Sequence, residues 1–348
     1  MELVDLKKRI QHHLTDGLVI IVGSGLSAAE GIPGMPELSQ YLLSVIPEKL
    51  SSESKSTWGK IAQELGSGSD LESALLLHPP DPALEEIIAE ATADLISLAE
   101  ARVFEETIDG QRTLRFSRLC DHLLKQPSGI PVVTTNYDRL IELAAEMSGL
   151  RVDTLFVGHR AGWFSPRESA YSHCRNVIER KVGGKRKPTL DYAPHIRLLK
   201  PHGSLDWYRS GKGPVACSYP LRRQRLVITP GANKYRGGYE PPFDAHREMA
   251  NRAIDQASRF LVIGYGFNDE HLQTHLQPKL CDGKPAVLLT RTLSEKVQGL
   301  IRRWPGMTAL SRGENGYGTT VTTQSEVCVF PDVDLWDLGS LVDEVLTP

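Results

Sequence analysis

The chain has 348 residues, 40% of them hydrophobic and 24% charged, the profile of a soluble globular protein rather than a disordered, collagen-like or coiled-coil chain. That length fits about two domains, or one enlarged α/β domain. Forty Lys and Arg stand against 43 Asp and Glu, a net charge of −3, which gives no global reason to expect nucleic-acid binding.

The five cysteines (Cys120, Cys174, Cys217, Cys281, Cys328) are scattered, odd in number and never paired as C-x-x-C. That argues against a disulfide framework and a four-thiolate zinc module, and a reducing cytoplasm is the simplest expectation. The N-terminus, MELVDLKKRIQHHL, lacks a signal-peptide apolar core, and no stretch reaches the length that spans a bilayer.

In chain order, Leu3, Leu6, Ile10 and Leu14 recur at helical spacing and predict a short amphipathic helix. The run Leu18–Val22, bounded by Gly17 and Gly23, predicts a strand buried on both faces, as in a parallel sheet. Residues 37–127 read as mostly helical, broken at Pro79-Pro80-Asp81-Pro82. A second buried strand is predicted at 130–135, running into a helix from Arg139. Residues 159–197 show no clear periodicity and are locally basic, a basic excursion or small subdomain. Its stretch from Arg175 to Lys187 reads as a solvated loop more readily than as a nucleic-acid contact, because its aromatics do not interleave. Further strands are predicted at Leu226–Thr229, Phe260–Gly264, Ala286–Thr290 and Val327–Phe330, with a helix over Phe243–Ser258 and a closing helix over Leu335–Leu346. Strands alternating with helices imply an α/β fold with a doubly wound parallel sheet and right-handed crossovers. The expected organisation is a Rossmann-like domain from 1–36 and 128–348, with a helical insertion at 37–127.

Three segments carry candidate chemistry. Gly23-Ser24-Gly25-Leu26-Ser27-Ala28 fits G-x-G-x-x-A between a strand and a helix, where glycines let backbone N–H groups approach a pyrophosphate. Such a turn also serves as a plain connection. The acidic residue that a dehydrogenase places about 20 residues on is missing, which weakens a hydride-transfer reading. Thr134-Thr135-Asn136-Tyr137-Asp138 sits where a buried strand ends. Asp138 suits a helix N-cap, whereas Asn136 is not needed for one and could orient a water or a ribose hydroxyl. In Lys200-Pro201-His202-Gly203, proline and glycine fix the chain around a side chain suited to general acid–base work near neutral pH. A second glycine turn follows at Gly264-Tyr265-Gly266, where the bland reading is a tight connection capped by Asn268 or Asp269.

Taken in this order, the motifs resemble the sirtuin (silent information regulator) family. The glycine turn through Ser27, Gly31-Ile32-Pro33, Thr134–Asp138, His202-Gly203 and the turn at Gly264–Gly266 each match a family element. The four zinc cysteines are absent, Thr135 replaces a glutamine, and Gly34-Met35-Pro36 replaces the usual Phe-Arg. These departures resemble the divergent prokaryotic branch used in anti-phage defence. The resemblance implies an NAD⁺ glycohydrolase with no metal, Asn136 and His202 catalytic, and NAD⁺ held by Gly23, Ser24, Gly25, Ser27, Pro33, Thr135, Asp138, Gly264, Tyr265, Gly266 and Thr290. It also implies a homo-oligomer with a partner such as a sensor or motor ATPase, gated by assembly or by that partner, with nucleic acid only indirectly involved. An NAD⁺-dependent protein deacylase and a non-catalytic NAD⁺ or ADP-ribose sensor are the alternatives.

Overall fold

The computed structural model describes residues 1–123, 128–182, 185–231 and 240–347, with the side chains of 180–182 and 185–187 outside that description. The chain opens with α1 (Leu3–His13), β1 (Leu18–Val22) and α2 (Ser24–Ala29). A helical block follows: α3 (Met35–Val45), α4 (Ser54–Gly66), α5 (Leu71–Leu77), α6 (Pro82–Ile108) and α7 (Arg115–Cys120). Then come β2 (Ile130–Thr134), α8 (Leu140–Met147), β3 (Arg151–Asp153), β4 (Phe156–Val157), β5 (Ala161–Phe164) and α9 (Pro166–Ser172). The strands β6 (Cys174–Val182), β7 (Lys185–Tyr192), β8 (His195–Leu199), β9 (Gly203–Ser210), β10 (Gly213–Cys217) and β11 (Arg225–Val227) run in succession. The last third alternates α10 (Phe243–Gln256), β12 (Arg259–Ile263), α11 (Glu270–Cys281), β13 (Ala286–Thr290), α12 (Glu295–Ile301) and β14 (Met307–Arg312). It closes with β15 (Thr319–Thr322), β16 (Val327–Phe330) and α13 (Leu338–Leu341).

Among the described residues the main sheet has nine strands, in the order β16-β15-β14-β13-β12-β1-β2-β8-β3. From β14 to β3 every neighbouring pair is parallel. The α/β, doubly wound expectation therefore holds. The β1 strand is buried along its whole length because its alternate residues enter different cores. Leu18, Ile20 and Val22 join one apolar cluster, with Leu6 and Ile141, while Val19 and Ile21 join another, with Ile254 and Val262. Each such aliphatic side chain contributes about 1.5–3 kcal/mol by burial, which is why the run carries no polar face. The helical block has its own core of Leu38, Leu42, Trp58, Leu75 and Ile88. Its longest helix starts cleanly, with the Asp81 carboxylate accepting from Ala83 and Leu84 N–H and Pro82 at the first helical position.

Several expectations are corrected. The run at Leu226 does not join the parallel sheet. Its strand β11 pairs antiparallel with β9 in a second sheet, ordered β11-β9-β10-β5-β4. There Leu226 and Ile228 pack on Trp207 and Phe243, and a short apolar run carries no mark of which sheet it enters. The strand Val327–Phe330 is an antiparallel edge strand. The segment 159–197, expected to lack periodicity, holds β5, α9 and the antiparallel β6–β7 pair. Most of its basic side chains, Arg180, Lys181, Lys185, Arg186 and Lys187, lie outside the described residues. The tail is shorter in α-helix than expected: α13 passes at Val342 into one π-helical turn. No helix among the described residues is long and apolar enough to cross a membrane.

Candidate active site

The strand order reverses at β1, which has β12 on one side and β2 then β8 on the other. Ligands of open α/β sheets bind beyond the carboxyl ends of strands at such a switch point. The four chain segments that leave these strands are those singled out from sequence: Gly23–Ser27, Thr135–Asp138, Lys200–His202 and Gly264–Asp269.

The two glycine turns pack on each other. Gly23 N–H donates to Ile263 O and Gly25 N–H to Gly264 O, both at 2.9 Å. A Cβ on Gly23 would lie 2.5 Å from Gly264 O, and one on Gly25 would lie 2.6 Å from Gly264 Cα. Gly264 itself has φ +57°, the left-handed region. Contact between the two backbones thus requires these glycines without any ligand, and two of the first turn's N–H groups are already committed.

Asn136 is held by a chain of hydrogen bonds. Its Nδ2 donates to Gly23 O at 2.9 Å and to Ser27 Oγ at 2.7 Å, and Ser27 Oγ donates to Asp138 Oδ2 at 2.7 Å. A carbonyl can only accept, so the nitrogen must face Gly23 and the amide oxygen must turn away from it. Asp138 Oδ1 also accepts from Leu140 N–H at 3.2 Å, but the N-cap position of α8 is Arg139, so Asp138 stands one residue before the expected cap. The loop is fastened from behind by Lys200, whose side chain is fully buried. Its Nζ donates to Asp138 O at 2.6 Å, to Ser204 Oγ at 3.0 Å and to Glu142 Oε1 at 2.9 Å. Burial pushes the Glu142 carboxyl up to about 7, with Asp206 adding to the rise and Lys200 opposing it. From the helical block, Glu100 of α6 accepts from the Arg139 guanidinium and backbone N–H, fixing the start of α8.

His202 follows β8 on a tight turn in which Gly203 has φ +88° and donates to Lys200 O at 3.0 Å. Its Nε2 lies 2.7 Å from Asp269 Oδ2, while Asp269 Oδ1 caps α11 by accepting from Leu272 N–H at 2.9 Å. The backbone of Ile228 ties the asparagine and histidine segments together. Ile228 N–H donates to His202 O at 2.9 Å, and Ile228 O accepts from Tyr137 Oη at 2.5 Å.

A cavity of about 260 Å³ lies over these strand ends. Gly23, Ser24, Ser27, Pro33, Thr135, Asn136, Asp138, His202, Tyr265 and Gly266 all line it. Gly25, Gly264 and Thr290 do not: the first two pack beneath it, and Thr290 Oγ1 donates to Thr292 O. Sequence reasoning missed Glu72 on the wall and read Asn268 and Asp269, also on it, only as helix caps. It also missed Lys200 behind the wall, although Lys200 stands two residues before His202. A wider groove of about 880 Å³ beside β14–β16, with Arg291, Arg302 and Arg312 on its walls, contains none of the residues singled out. Among the described residues no group of three or more His, Cys, Asp or Glu could hold a metal ion, and all five cysteines are free.

Comparison with known families finds a match over less than half of the chain. The SIR2-like domain family matches residues 131–283, which contain Asn136, Asp138, His202 and Asp269. The match begins within β2, so β1 and the first glycine turn lie outside it. Similar solved structures include a mutant Sir2 homologue in complex with 2′-O-acetyl-ADP-ribose, 14% identical, TM-score 0.44, covering 99% of this chain and 95% of that one. Another is a Sir2 homologue mutant in complex with ADP-ribose, 13% identical, TM-score 0.40, covering 99% and 95%. A third bears on sirtuin substrate affinity, 15% identical, TM-score 0.39, covering 84% and 88%. No curated protein matches.

Proposed function

We propose that the chain is an NAD⁺ glycohydrolase that releases nicotinamide and ADP-ribose. The observation that carries this reading is that Asn136 and His202, on separate segments within the residues similar to the SIR2-like family, line one cavity at the switch point of the sheet. The cavity is smaller than the roughly 300–1,000 Å³ of drug-sized pockets, so it suits the nicotinamide–ribose end of a dinucleotide. In the proposed step the C1′–nicotinamide bond breaks, its electron pair leaves with nicotinamide, and positive charge builds on the ribose. The Asn136 amide oxygen orients a water, whose oxygen bonds to C1′. The water's proton passes to His202, directly or through a ribose hydroxyl; such a base typically contributes about 10²–10⁴-fold. Thr135, Ser24 and Pro33 form the wall of that end.

An unrestrained hydrolase would deplete the cell's own NAD⁺. The proposal therefore includes control by self-assembly or by a second protein, in keeping with the anti-phage role the resemblance implies. The test is to incubate purified protein with NAD⁺, with and without candidate partners, and to separate the products by chromatography. Nicotinamide and ADP-ribose should appear, and Asn136→Ala and His202→Ala should abolish them while keeping the wild-type circular dichroism. Turnover in both variants, or NAD⁺ loss only when an acetylated peptide is deacetylated, would overturn the reading.

A further inference from the structure

The Asp269 carboxylate does two jobs with two oxygens. Oδ1 caps α11 through Leu272 N–H, and Oδ2 lies 2.7 Å from His202 Nε2. Its side chain is nearly buried, and the His202 side chain is only 14% exposed, so water does little to screen the contact. An ionised carboxylate only accepts hydrogen bonds, and a neutral imidazole has one donor and one acceptor nitrogen. The nitrogen facing Asp269 must therefore carry the proton, and the lone pair must sit on Nδ1.

We propose that Asp269 is a positioning residue that holds His202 as the Nε2–H tautomer, so that Nδ1 is the nitrogen that takes the proton in turnover. This rests on the glycohydrolase reading for its kinetic consequence, but not for its tautomer. When Nδ1 accepts a proton from water or a ribose hydroxyl, the ring becomes an imidazolium, and Asp269 stabilises the charge without itself gaining the proton. The cap explains why this residue looks merely structural in sequence: an aspartate before a helix is common.

The test separates the two jobs. Asn and Ser both cap helices about as well as Asp, so Asp269→Asn and Asp269→Ser keep α11. Ser is too short to reach the ring, and Asn presents a donor to whichever ring nitrogen its amide faces. With the Asn oxygen on the cap, its NH₂ meets Nε2 and drives the proton to Nδ1, the wrong tautomer. Asp269→Asn is expected to lower kcat for nicotinamide release about 10²–10⁴-fold with KM within about twofold. Asp269→Ser should fall less far than Asp269→Asn. In protein labelled with ¹⁵N-histidine, the His202 signals, assigned by their loss in His202→Ala, should report Nε2–H in the wild type and Nδ1–H in Asp269→Asn. Either variant retaining kcat within twofold, or a wild-type Nδ1–H tautomer, overturns the proposal. If the wild type releases no nicotinamide, the glycohydrolase reading fails alone and the tautomer measurement still decides the role of Asp269.

Discussion

The Ser27 hydroxyl sits 2.7 Å from Asp138 Oδ2 and also 2.7 Å from Asn136 Nδ2, and it can donate to only one of them. The carboxylate cannot donate and the amide nitrogen cannot accept, so the direction is fixed: amide to hydroxyl, hydroxyl to carboxylate. Ser27 thereby aims the Asn136 amide without being able to do its chemistry.

Ser27→Ala should loosen that amide, leaving it held by Gly23 O alone. Losing one buried, oriented hydrogen bond costs about 1–3 kcal/mol, which corresponds to roughly a 5- to 160-fold fall in nicotinamide release if it falls on the transition state. Asp138→Asn should do similar harm, because the new amide can donate to Ser27 and reverse the chain. Steady-state kinetics on both variants decide it. Two variants within twofold of wild type would leave the relay without a function.

Much of this site was legible in the sequence because its pieces stand at strand ends, where glycine, asparagine and a Pro-His-Gly turn interrupt apolar runs. The β1, β2, β12 and β13 strands were readable because strands buried on both faces are uninterrupted aliphatic runs. The β8 and β9 strands, flanking His202, were not readable. Arg197 interrupts the first, and Asp206 and Arg209 interrupt the second, so neither shows a clean period. Asp269 was legible only as a cap, since sequence shows one carboxylate and not its second oxygen's neighbour. Lys200 carried no signal. A buried lysine is recognised by the carbonyls that surround it, and Tyr137 and Asp138 come from a distant part of the chain.

That lysine is the second place to perturb. Lys200 neutralises Glu142 at 2.9 Å and serves two backbone carbonyls of the asparagine loop. Lys200→Met keeps the length of the stem but leaves the carbonyls and the carboxylate without their donor. Breaking a buried pair on one side costs about 3–5 kcal/mol. The double variant Lys200→Met/Glu142→Leu, which removes both charges, should recover part of that loss. Urea unfolding of the four proteins in a double-mutant cycle measures it. A coupling energy near zero would show that the lysine serves only the carbonyls.

Behind Lys200, His246 supplies a pH dependence of known sign. The ring is fully buried against Trp207, and its Nδ1 accepts from Lys200 N–H at 3.1 Å, which requires a lone pair there and so a ring without charge on that nitrogen. Burial, aided by Lys200, pushes its pKa down from 6.5 to about 3. The unfolded chain takes up a proton on this ring below pH 6.5, and the folded chain does not until about pH 3. Its contribution to stability is therefore present in full above pH 6.5 and falls by about 1.4 kcal/mol per pH unit on acidification through that window. His246→Asn keeps a neutral acceptor near the Lys200 N–H and cannot titrate. It should be less stable than wild type at pH 8, where the lost ring packing dominates, and should lose less stability between pH 6 and pH 4. Urea midpoints at pH 8, 6, 5 and 4 give both numbers. His13, likewise pushed down by burial to about 4, acts in the same direction in both proteins and cancels from the difference. Parallel curves for the two proteins would mean that His246 takes up its proton in the folded state, at the expense of the Lys200 N–H bond.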